Sequence, residues 1–212
     1  MREFNLYAII DRLSSKSKDL VEIAEALCKG GADVIQLREK TLSTKELIKA
    51  GLKIRRITRK FDTLLMVNDR IDVAYAIGAD GVHLGQEDLP IEFARKIFDG
   101  RKTIGISTHS LRQALLAQRN GADYIGVGPI FATPTKPEYK PVGLKFIREV
   151  RNYIKIPFVA IGGIDEENLE EVIKAGASRV AVVRVLMNTE DICNTTRTFK
   201  EKLMLLVKKY KR

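Results

Sequence analysis

The chain has 212 residues, of which 45% are hydrophobic, and a formal net charge of +10 at pH 7. This length suits one ordinary domain with a buried core, so residues 1–212 are predicted to form a single domain, and the lack of any apolar run of about eighteen residues excludes a membrane-spanning helix. The N-terminal stretch is not typical of a signal peptide, and the distant Cys28 and Cys193 make neither a disulfide framework nor a zinc site, so we expect a cytoplasmic protein.

Eight short apolar runs recur along the chain, and a segment with helical spacing follows each of them. Runs that are apolar on both faces are typical of strands buried in a parallel sheet. Eight strand–helix units predict the α/β class and a closed (β/α)8 TIM barrel. An open doubly wound sheet would carry a glycine-rich fingerprint after an early strand, and none follows the first run. The runs lie at 6–10, 64–67, 102–106 and 157–161 and directly after the motifs that begin at Gly31, Gly78, Gly121 and Gly176.

Four of the runs follow a motif of the form Gly-Ala-Asp or Gly-Ala-Ser, which ends a helical segment. Glycine adopts the left-handed conformation that closes many helices. Gly31, Gly78, Gly121 and Gly176 are therefore predicted to be helix caps ahead of strands two, four, six and eight.

The second strand ends in IQLREK, a sequence that alternates in character. Because side chains alternate between the two faces of a strand, Gln36, Arg38 and Lys40 are predicted to share one face. Active residues of such barrels lie at the C-terminal ends of the strands. Two cations and an amide at this end predict an anion-binding site, with a surface loop of ion pairs as the alternative.

The third and fourth strands end close to acidic residues. Asn68 and Asp69 follow the third strand, and Asp88 comes shortly after the fourth. Taken singly, each acid is a good candidate for a helix cap. Adjacent strands would nevertheless place Asp69 and Asp88 on one side of the mouth, next to Arg38 and Lys40. Since Mg²⁺ takes one or two carboxylates together with waters and substrate phosphate oxygens, this layout predicts a magnesium-bound diphosphate.

His83 and a pair of hydroxyl side chains complete this side of the barrel. Alternation directs His83 toward the barrel interior, where it is either a hydrogen-bonded core residue or a substrate contact. Ser107 and Thr108 lie at the end of strand five. Ser110 is predicted to cap the next helix. His109 is predicted to have a structural role, with a substrate contact as the alternative.

Strands seven and eight lead into a different kind of anion site. In barrels of this class the loops after these strands commonly bind phosphate through backbone N–H groups and a short helix N-terminus. Gly162 and Gly163 allow the close backbone approach that such a pocket needs. Two anion sites on one mouth fit an enzyme that joins or moves two phosphorylated small molecules.

Residues 128–144, GPIFATPTKPEYKPVGL, interrupt the regular pattern after strand six. A segment this long without helical or strand periodicity is often functional, and disorder is the alternative. Its position between the two anion sites predicts a loop that covers and organises the substrates.

The basic C-terminal stretch has a helical pattern, in which Phe199, Leu203, Leu206 and Tyr210 recur on one face. The lysines between them are predicted to form its solvated face. No basic stripe is interleaved with stacking aromatic residues, as in single-strand binders. The sequence therefore predicts no nucleic-acid partner and no membrane partner, and it leaves a homo-oligomer open.

The segments QLREK, VNDR, DGVHLGQED, GISTH, GVGPIFATPTK and AIGGI occur in this order and resemble the thiamine-phosphate synthase family over about residues 6–187. That family joins a hydroxymethylpyrimidine diphosphate to a thiazole phosphate, releasing pyrophosphate and forming thiamine phosphate. The resemblance implies a Mg²⁺-dependent transferase that acts on these two small phosphorylated substrates.

The resemblance also implies a role for each matching residue. The pyrimidine diphosphate would be bound by Gln36, Arg38, Lys40 and Asn68, with His83 as a candidate pyrimidine contact. Asp69 and Asp88 would hold Mg²⁺. Ser107 and Lys136 would contact the diphosphate or the pyrimidine, and together with Arg38 they would be the catalytic residues. The thiazole phosphate site would be lined by Thr133, Pro134, Thr135, Gly163, Val183 and Arg184.

Arg184 departs from the family pattern, which has a small serine after the two valines of strand eight. An arginine facing the mouth would either hold the thiazole phosphate or block it, whereas one facing outward would form an ion pair. Two alternatives stay open: a paralogous thiazole tautomerase, and a barrel that binds thiazole or thiamine phosphate without catalysis. The tautomerase has a histidine where this chain has Pro129, and that difference favours the synthase.

Overall fold

A computed structural model describes residues 3–12, 19–134 and 139–210. Eight parallel strands form a closed barrel in which each strand pairs with the next along the chain and β8 pairs with β1, which confirms the predicted (β/α)8 fold. The strands are β1 (Leu6–Asp11), β2 (Val34–Arg38), β3 (Leu64–Asn68), β4 (Gly81–Leu84), β5 (Thr103–Thr108), β6 (Tyr124–Val127), β7 (Phe158–Ile161) and β8 (Val180–Val182).

Helices surround the barrel and alternate with the strands. They are α1 (Leu20–Lys29), α2 (Thr44–Lys60), α3 (Ile71–Ala76), α4 (Ile91–Ile97), α5 (Leu111–Arg119), α6 (Gly143–Tyr153), α7 (Leu169–Lys174), α8 (Arg184–Met187) and α9 (Ile192–Tyr210). The last of these is the predicted C-terminal helix, and Phe199 and Leu203 on its inner face are fully buried. Among the described residues, no helix is both long enough and apolar enough to cross a membrane.

The predicted glycine caps all have the left-handed backbone. Gly31, Gly78, Gly121 and Gly176 have φ angles of 90°, 63°, 86° and 117°. Each lies in the turn between a helix and the following strand, so these four turns place β2, β4, β6 and β8. Ser110 also caps α5 as predicted, since its side chain accepts a hydrogen bond from the Gln113 N–H at 3.3 Å.

Two separate clusters of buried side chains stabilise the barrel. The larger cluster fills the space between the strands and the helices, and it includes outward-facing strand residues such as Leu37 and Val67. The smaller one lies inside the barrel and ends beneath the mouth. Its members are Phe4, Tyr7, Ile9, Val34, Met66, Tyr124, Val159 and Ala181. The interior is therefore a packed core, and a cavity can exist only above it.

Candidate active site

A cavity of about 450 Å³ opens above the interior core, at the C-terminal ends of the strands. Every strand contributes to its lining. The predicted site residues that line it are Gln36, Arg38, Asn68, His83, Ser107, Thr133, Pro134, Gly163, Val183 and Arg184. Thr135 and Lys136 lie outside the described residues, so their predicted roles stay predictions.

Strand β2 delivers Gln36 and Arg38 to the cavity, as its alternation predicts, while Leu37 packs outward. Arg38 forms an ion pair with Asp11 at the end of the neighbouring strand β1, and both side chains are largely buried, at 13% and 5% exposed. The pairing follows from the strand register, in which Asp11 is opposite Arg38. Asp11 therefore fixes the guanidinium at the mouth, a role that the sequence analysis missed.

Lys40 lies two residues beyond the end of β2, so strand alternation no longer directs its side chain. It is exposed at the rim and pairs with Asp69, with 3.6 Å between Nζ and the carboxylate oxygen. Lys40 and Asp69 do not contribute to the cavity lining, although Asn68 beside them does. Lys40 and Asp69, which the sequence predicts in one site, are thus neighbours at the edge of the cavity.

Neither Asp69 nor Asp88 caps a helix. Asp69 has a φ of 60°, and its N–H donates to the His83 carbonyl at 2.9 Å, which ties the end of β3 to β4. Asp88 accepts a hydrogen bond from the Gly85 N–H at 2.6 Å and lies outside the cavity lining. The described residues hold no group of three or more acids, histidines or cysteines suited to a metal. Mg²⁺ commonly takes only one or two carboxylates and completes its shell with waters and substrate phosphate, so Asp69 and Asp88 stay predicted ligands.

A chain of hydrogen bonds crosses the cavity floor. Gln36 Nε2 donates to the Tyr7 hydroxyl at 2.7 Å, and the hydroxyls of Tyr7 and Tyr124 are 2.9 Å apart. His83 Nδ1 is 2.9 Å from the Tyr124 hydroxyl, and its Nε2 is 2.9 Å from Ser107 Oγ. His83 is therefore a hydrogen-bonded interior residue, one of the two interpretations left open by the sequence, and it also lines the cavity. Its contact with a substrate stays a prediction.

Burial keeps the two tyrosines of this hydrogen-bond chain, Tyr7 and Tyr124, neutral. Tyr7 and Tyr124 are 2% and 1% exposed, and desolvation raises the pKa of each phenol far above its usual value. Two glycines provide the room for these rings. A Cβ on Gly105 would be 2.1 Å from Tyr124 Cζ, and one on Gly126 would be 3.2 Å from His83 Cε1. The floor is thus polar, uncharged at its tyrosines and closely packed.

The end of β5 also provides two residues with structural contacts. The Thr108 hydroxyl donates to the Gly126 carbonyl at 2.8 Å. His109 Nδ1 donates to the Gly128 carbonyl at 2.5 Å, and its ring stacks on Tyr139 with 4.6 Å between centroids. These contacts confirm the predicted structural role of His109 and hold the loop after β6 at Gly128 and Tyr139, although His109 lines the cavity too.

The glycine pair after β7 permits a close approach of two loops. Gly162 and Gly163 have φ angles of 100° and 64°, and a Cβ on Gly162 would be 2.5 Å from Pro129 Cα. The Gly162 carbonyl accepts a hydrogen bond from the Phe131 N–H at 3.0 Å. The pair therefore joins the wall of the cavity to the start of the loop that carries Thr133 and Pro134.

Strand β8 ends at Val182, and the short helix α8 begins at Arg184. Val183, Arg184 and Val185 all line the cavity, so the N-terminal end of α8 lies at its wall. Arg184 is exposed, and within the described part of the chain no acid pairs with it. The sequence left open whether the Arg184 side chain faces the mouth or faces outward, and in the structure it faces the mouth.

The sequence comparisons agree with this site. The family model described as thiamine monophosphate synthase matches residues 6–186. The chain is 45% identical over 196 residues to the thiamine-phosphate synthase of Chloroflexus aurantiacus, covering 92% of this chain and 90% of that protein. It is 46% identical over 193 residues to the synthase of Shouchella clausii, covering 91% and 92% of the two chains.

A solved structure agrees as well. The thiamine phosphate pyrophosphorylase from Pyrococcus furiosus superposes with a TM-score of 0.89 at 40% sequence identity, and the match covers 96% of this chain and 97% of that one. The chain therefore belongs to the thiamine-phosphate synthase family.

Proposed function

We propose that this protein joins hydroxymethylpyrimidine diphosphate to thiazole phosphate in the barrel mouth, with Mg²⁺ at Asp69 and Asp88. The observation that carries the proposal is one shared cavity, which has Arg38, Asn68 and Ser107 on one wall and the glycine pair with the α8 N-terminus on another. Two phosphorylated substrates that must react with each other need such neighbouring sites.

Each wall suits one substrate. Gln36, Asn68 and the His83–Ser107 pair offer hydrogen-bonding groups for an aminopyrimidine, and Arg38 offers a fixed positive charge for its diphosphate. Gly163 and Arg184 lie at the other wall, where a backbone and a guanidinium can hold a phosphate. Apolar side chains between the walls exclude water from the rings; they include Ile9, Val159, Ile161 and Ala181.

The reaction needs no strong acid or base from the protein. The bond between the methylene carbon and the diphosphate oxygen breaks, and its electron pair leaves with the diphosphate, while the aminopyrimidine ring supports the positive charge. The thiazole nitrogen then donates its lone pair to that carbon. Arg38 stabilises the departing charge, and the two walls align carbon and nitrogen.

Mg²⁺ held by Asp69 and Asp88 would neutralise part of the diphosphate charge. The contact between Asp69 and Lys40 brings a further cation to the same edge, at 3.6 Å. The rim therefore has both charge types that a metal-bound diphosphate requires.

Pyrophosphate release in the presence of Mg²⁺ tests the proposal. We expect release only when the pyrimidine diphosphate and the thiazole phosphate are supplied together. Conversion of a thiazole phosphate alone would instead indicate the tautomerase alternative. Binding of thiazole or thiamine phosphate without any turnover would indicate a non-catalytic barrel.

Replacing Arg184 by serine is expected to raise the KM for thiazole phosphate about tenfold and to change kcat little. The guanidinium lines the cavity with no acid paired to it in the described chain, so it is available for a charge-assisted bond to phosphate. Arg184→Lys, which keeps the charge, should retain most of the affinity. Steady-state kinetics with the thiazole phosphate varied provide the measurement. A lower KM in Arg184→Ser would mean that the arginine obstructs the site.

A further inference from the structure

We propose that the hydrogen-bond chain on the cavity floor runs in one direction, from Gln36 through Tyr7, Tyr124 and His83 to Ser107. In this arrangement His83 carries its proton on Nε2, and the Ser107 hydroxyl directs its own hydrogen toward the cavity. Gln36, Tyr7 and Tyr124 are then positioning residues that set the hydrogen-bonding character of Ser107.

The direction follows from counting protons along the chain. An amide nitrogen can only donate, so the Tyr7 oxygen accepts from Gln36 Nε2 at 2.7 Å. Tyr7 has one proton, and its remaining partner in the chain is the Tyr124 oxygen at 2.9 Å. Tyr124, having accepted this bond, gives its own proton to His83 Nδ1 at 2.9 Å.

The same count continues through the imidazole. A neutral histidine that accepts at Nδ1 carries its hydrogen on Nε2. That hydrogen is donated to Ser107 Oγ, which lies 2.9 Å away. The serine oxygen accepts this bond, and its own hydrogen is left to donate to a ligand.

Burial protects this order from water. Gln36, Tyr7 and Tyr124 are 3%, 2% and 1% exposed, so solvent does not supply alternative donors or acceptors to them. In such surroundings a reversed link would leave the hydrogen of one buried tyrosine hydroxyl without an acceptor in the chain, and an unsatisfied buried group is costly. The orientation of the Gln36 amide therefore sets the direction of each hydrogen bond across the cavity floor.

The site is built around this chain. Gly105 and Gly126 leave space for the Tyr124 and His83 rings, and any larger residue at Gly105 would place its Cβ 2.4 Å from the Tyr124 hydroxyl. A ligand in the cavity would therefore meet Ser107 as a hydrogen-bond donor, which suits an acceptor atom such as a ring nitrogen or a phosphate oxygen. The identity of that ligand rests on the proposed function, whereas the direction of the chain can be measured without substrate.

Long-range ¹H–¹⁵N spectra of the imidazole rings test the direction in the substrate-free protein. The amino-acid sequence has only two histidines, and a His109→Gln variant assigns their signals. The spectrum is taken at a pH about two units above the ordinary histidine pKa, where the ring is neutral. We expect the proton of His83 on Nε2 and that of His109 on Nδ1, because His109 Nδ1 donates to a carbonyl. A His83 proton on Nδ1 would overturn the proposal.

A Gln36→Glu substitution should reverse the chain. An ionised carboxylate only accepts, so Tyr7 would donate to it, Tyr124 would donate to Tyr7, and the His83 proton would move to Nδ1. The ¹³C shift of the introduced carboxyl reports its ionisation, and the pH is raised until it is ionised. An unchanged His83 tautomer would contradict the directional chain.

Adding Tyr7→Phe to this variant separates the hydrogen-bond path from a through-space effect of the charge. With Tyr7 interrupted, Tyr124 has only His83 to donate to, so the proton should return to Nε2. If the double variant keeps the Nδ1 proton, the added charge acts directly and the relay is wrong. Tyr75→Phe, at a hydroxyl far more exposed to solvent, is the matched control and should leave the spectrum unchanged.

Discussion

Replacing Arg38 by methionine is expected to lower kcat/KM by about 100- to 1,000-fold and stability by about 3–5 kcal/mol. We expect the activity to fall because the guanidinium lines the cavity, where, on the proposed function, it would stabilise charge on the departing diphosphate. The stability falls because the Asp11 carboxylate, whose side chain is 5% exposed, loses its ion-pair partner. Pyrophosphate release and urea unfolding measure the two effects separately.

Two further variants separate the roles of Arg38. Adding Asp11→Asn to Arg38→Met also removes the carboxylate charge that Arg38 balances, so the free energy of unfolding should largely recover while activity stays low. Arg55→Met breaks another largely buried pair, with Asp80 at 2.7 Å, just before the N-terminal end of β4 and away from the cavity. It should lower stability without lowering kcat/KM of the folded enzyme. Full activity in Arg38→Met would contradict the assigned role.

Replacing Asp88 by asparagine is expected to reduce activity by about 100- to 1,000-fold at a fixed Mg²⁺ concentration and to raise the Mg²⁺ concentration needed for half-maximal rate. A metal supplies several kcal/mol of charge stabilisation, and about 1.4 kcal/mol corresponds to a factor of ten in rate. The asparagine oxygen can still accept the Gly85 N–H bond, so the loop is retained and only the charge is removed. Initial rates across a Mg²⁺ titration provide the measurement.

Asp72→Asn is the matched control for this variant. Asp72 is exposed, pairs with Arg70 and lies close in sequence to Asp69, but it has no part in the proposed metal site. It should change the activity by no more than about twofold, since surface ion pairs contribute little. An Asp88→Asn enzyme with normal rate and normal Mg²⁺ dependence would remove Asp88 from the metal site.

Much of the architecture could be predicted because it depends on local patterns. Continuous apolar runs identify buried parallel strands, and glycines in the Gly-Ala-Asp motifs have the φ angles of helix caps. The family resemblance of the sequence segments is also confirmed by the matches along the chain. Within the strands, alternation predicted the direction of the Gln36, Arg38 and His83 side chains, and all three line the cavity.

The parts of the site that were missed depend on strand neighbours or lie past strand ends. Alternation in β1 places Tyr7, Ile9 and Asp11 on one face, a signal that was present, but only the pairing of β1 with β2 makes Asp11 the partner of Arg38. Tyr124 reaches His83 because Gly105 lies between their strands. Lys40 lies beyond β2, where alternation no longer applies and the rim contacts decide its position.

The complete reaction can be followed by ³¹P NMR, which distinguishes the substrates from the products. With both substrates and Mg²⁺ present, we expect the pyrimidine diphosphate signals to disappear while thiamine phosphate and pyrophosphate appear in equal amounts. Neither product should form when the thiazole phosphate is omitted. Folded protein that forms no thiamine phosphate, or that releases pyrophosphate without the thiazole substrate, would show that the proposed function is wrong.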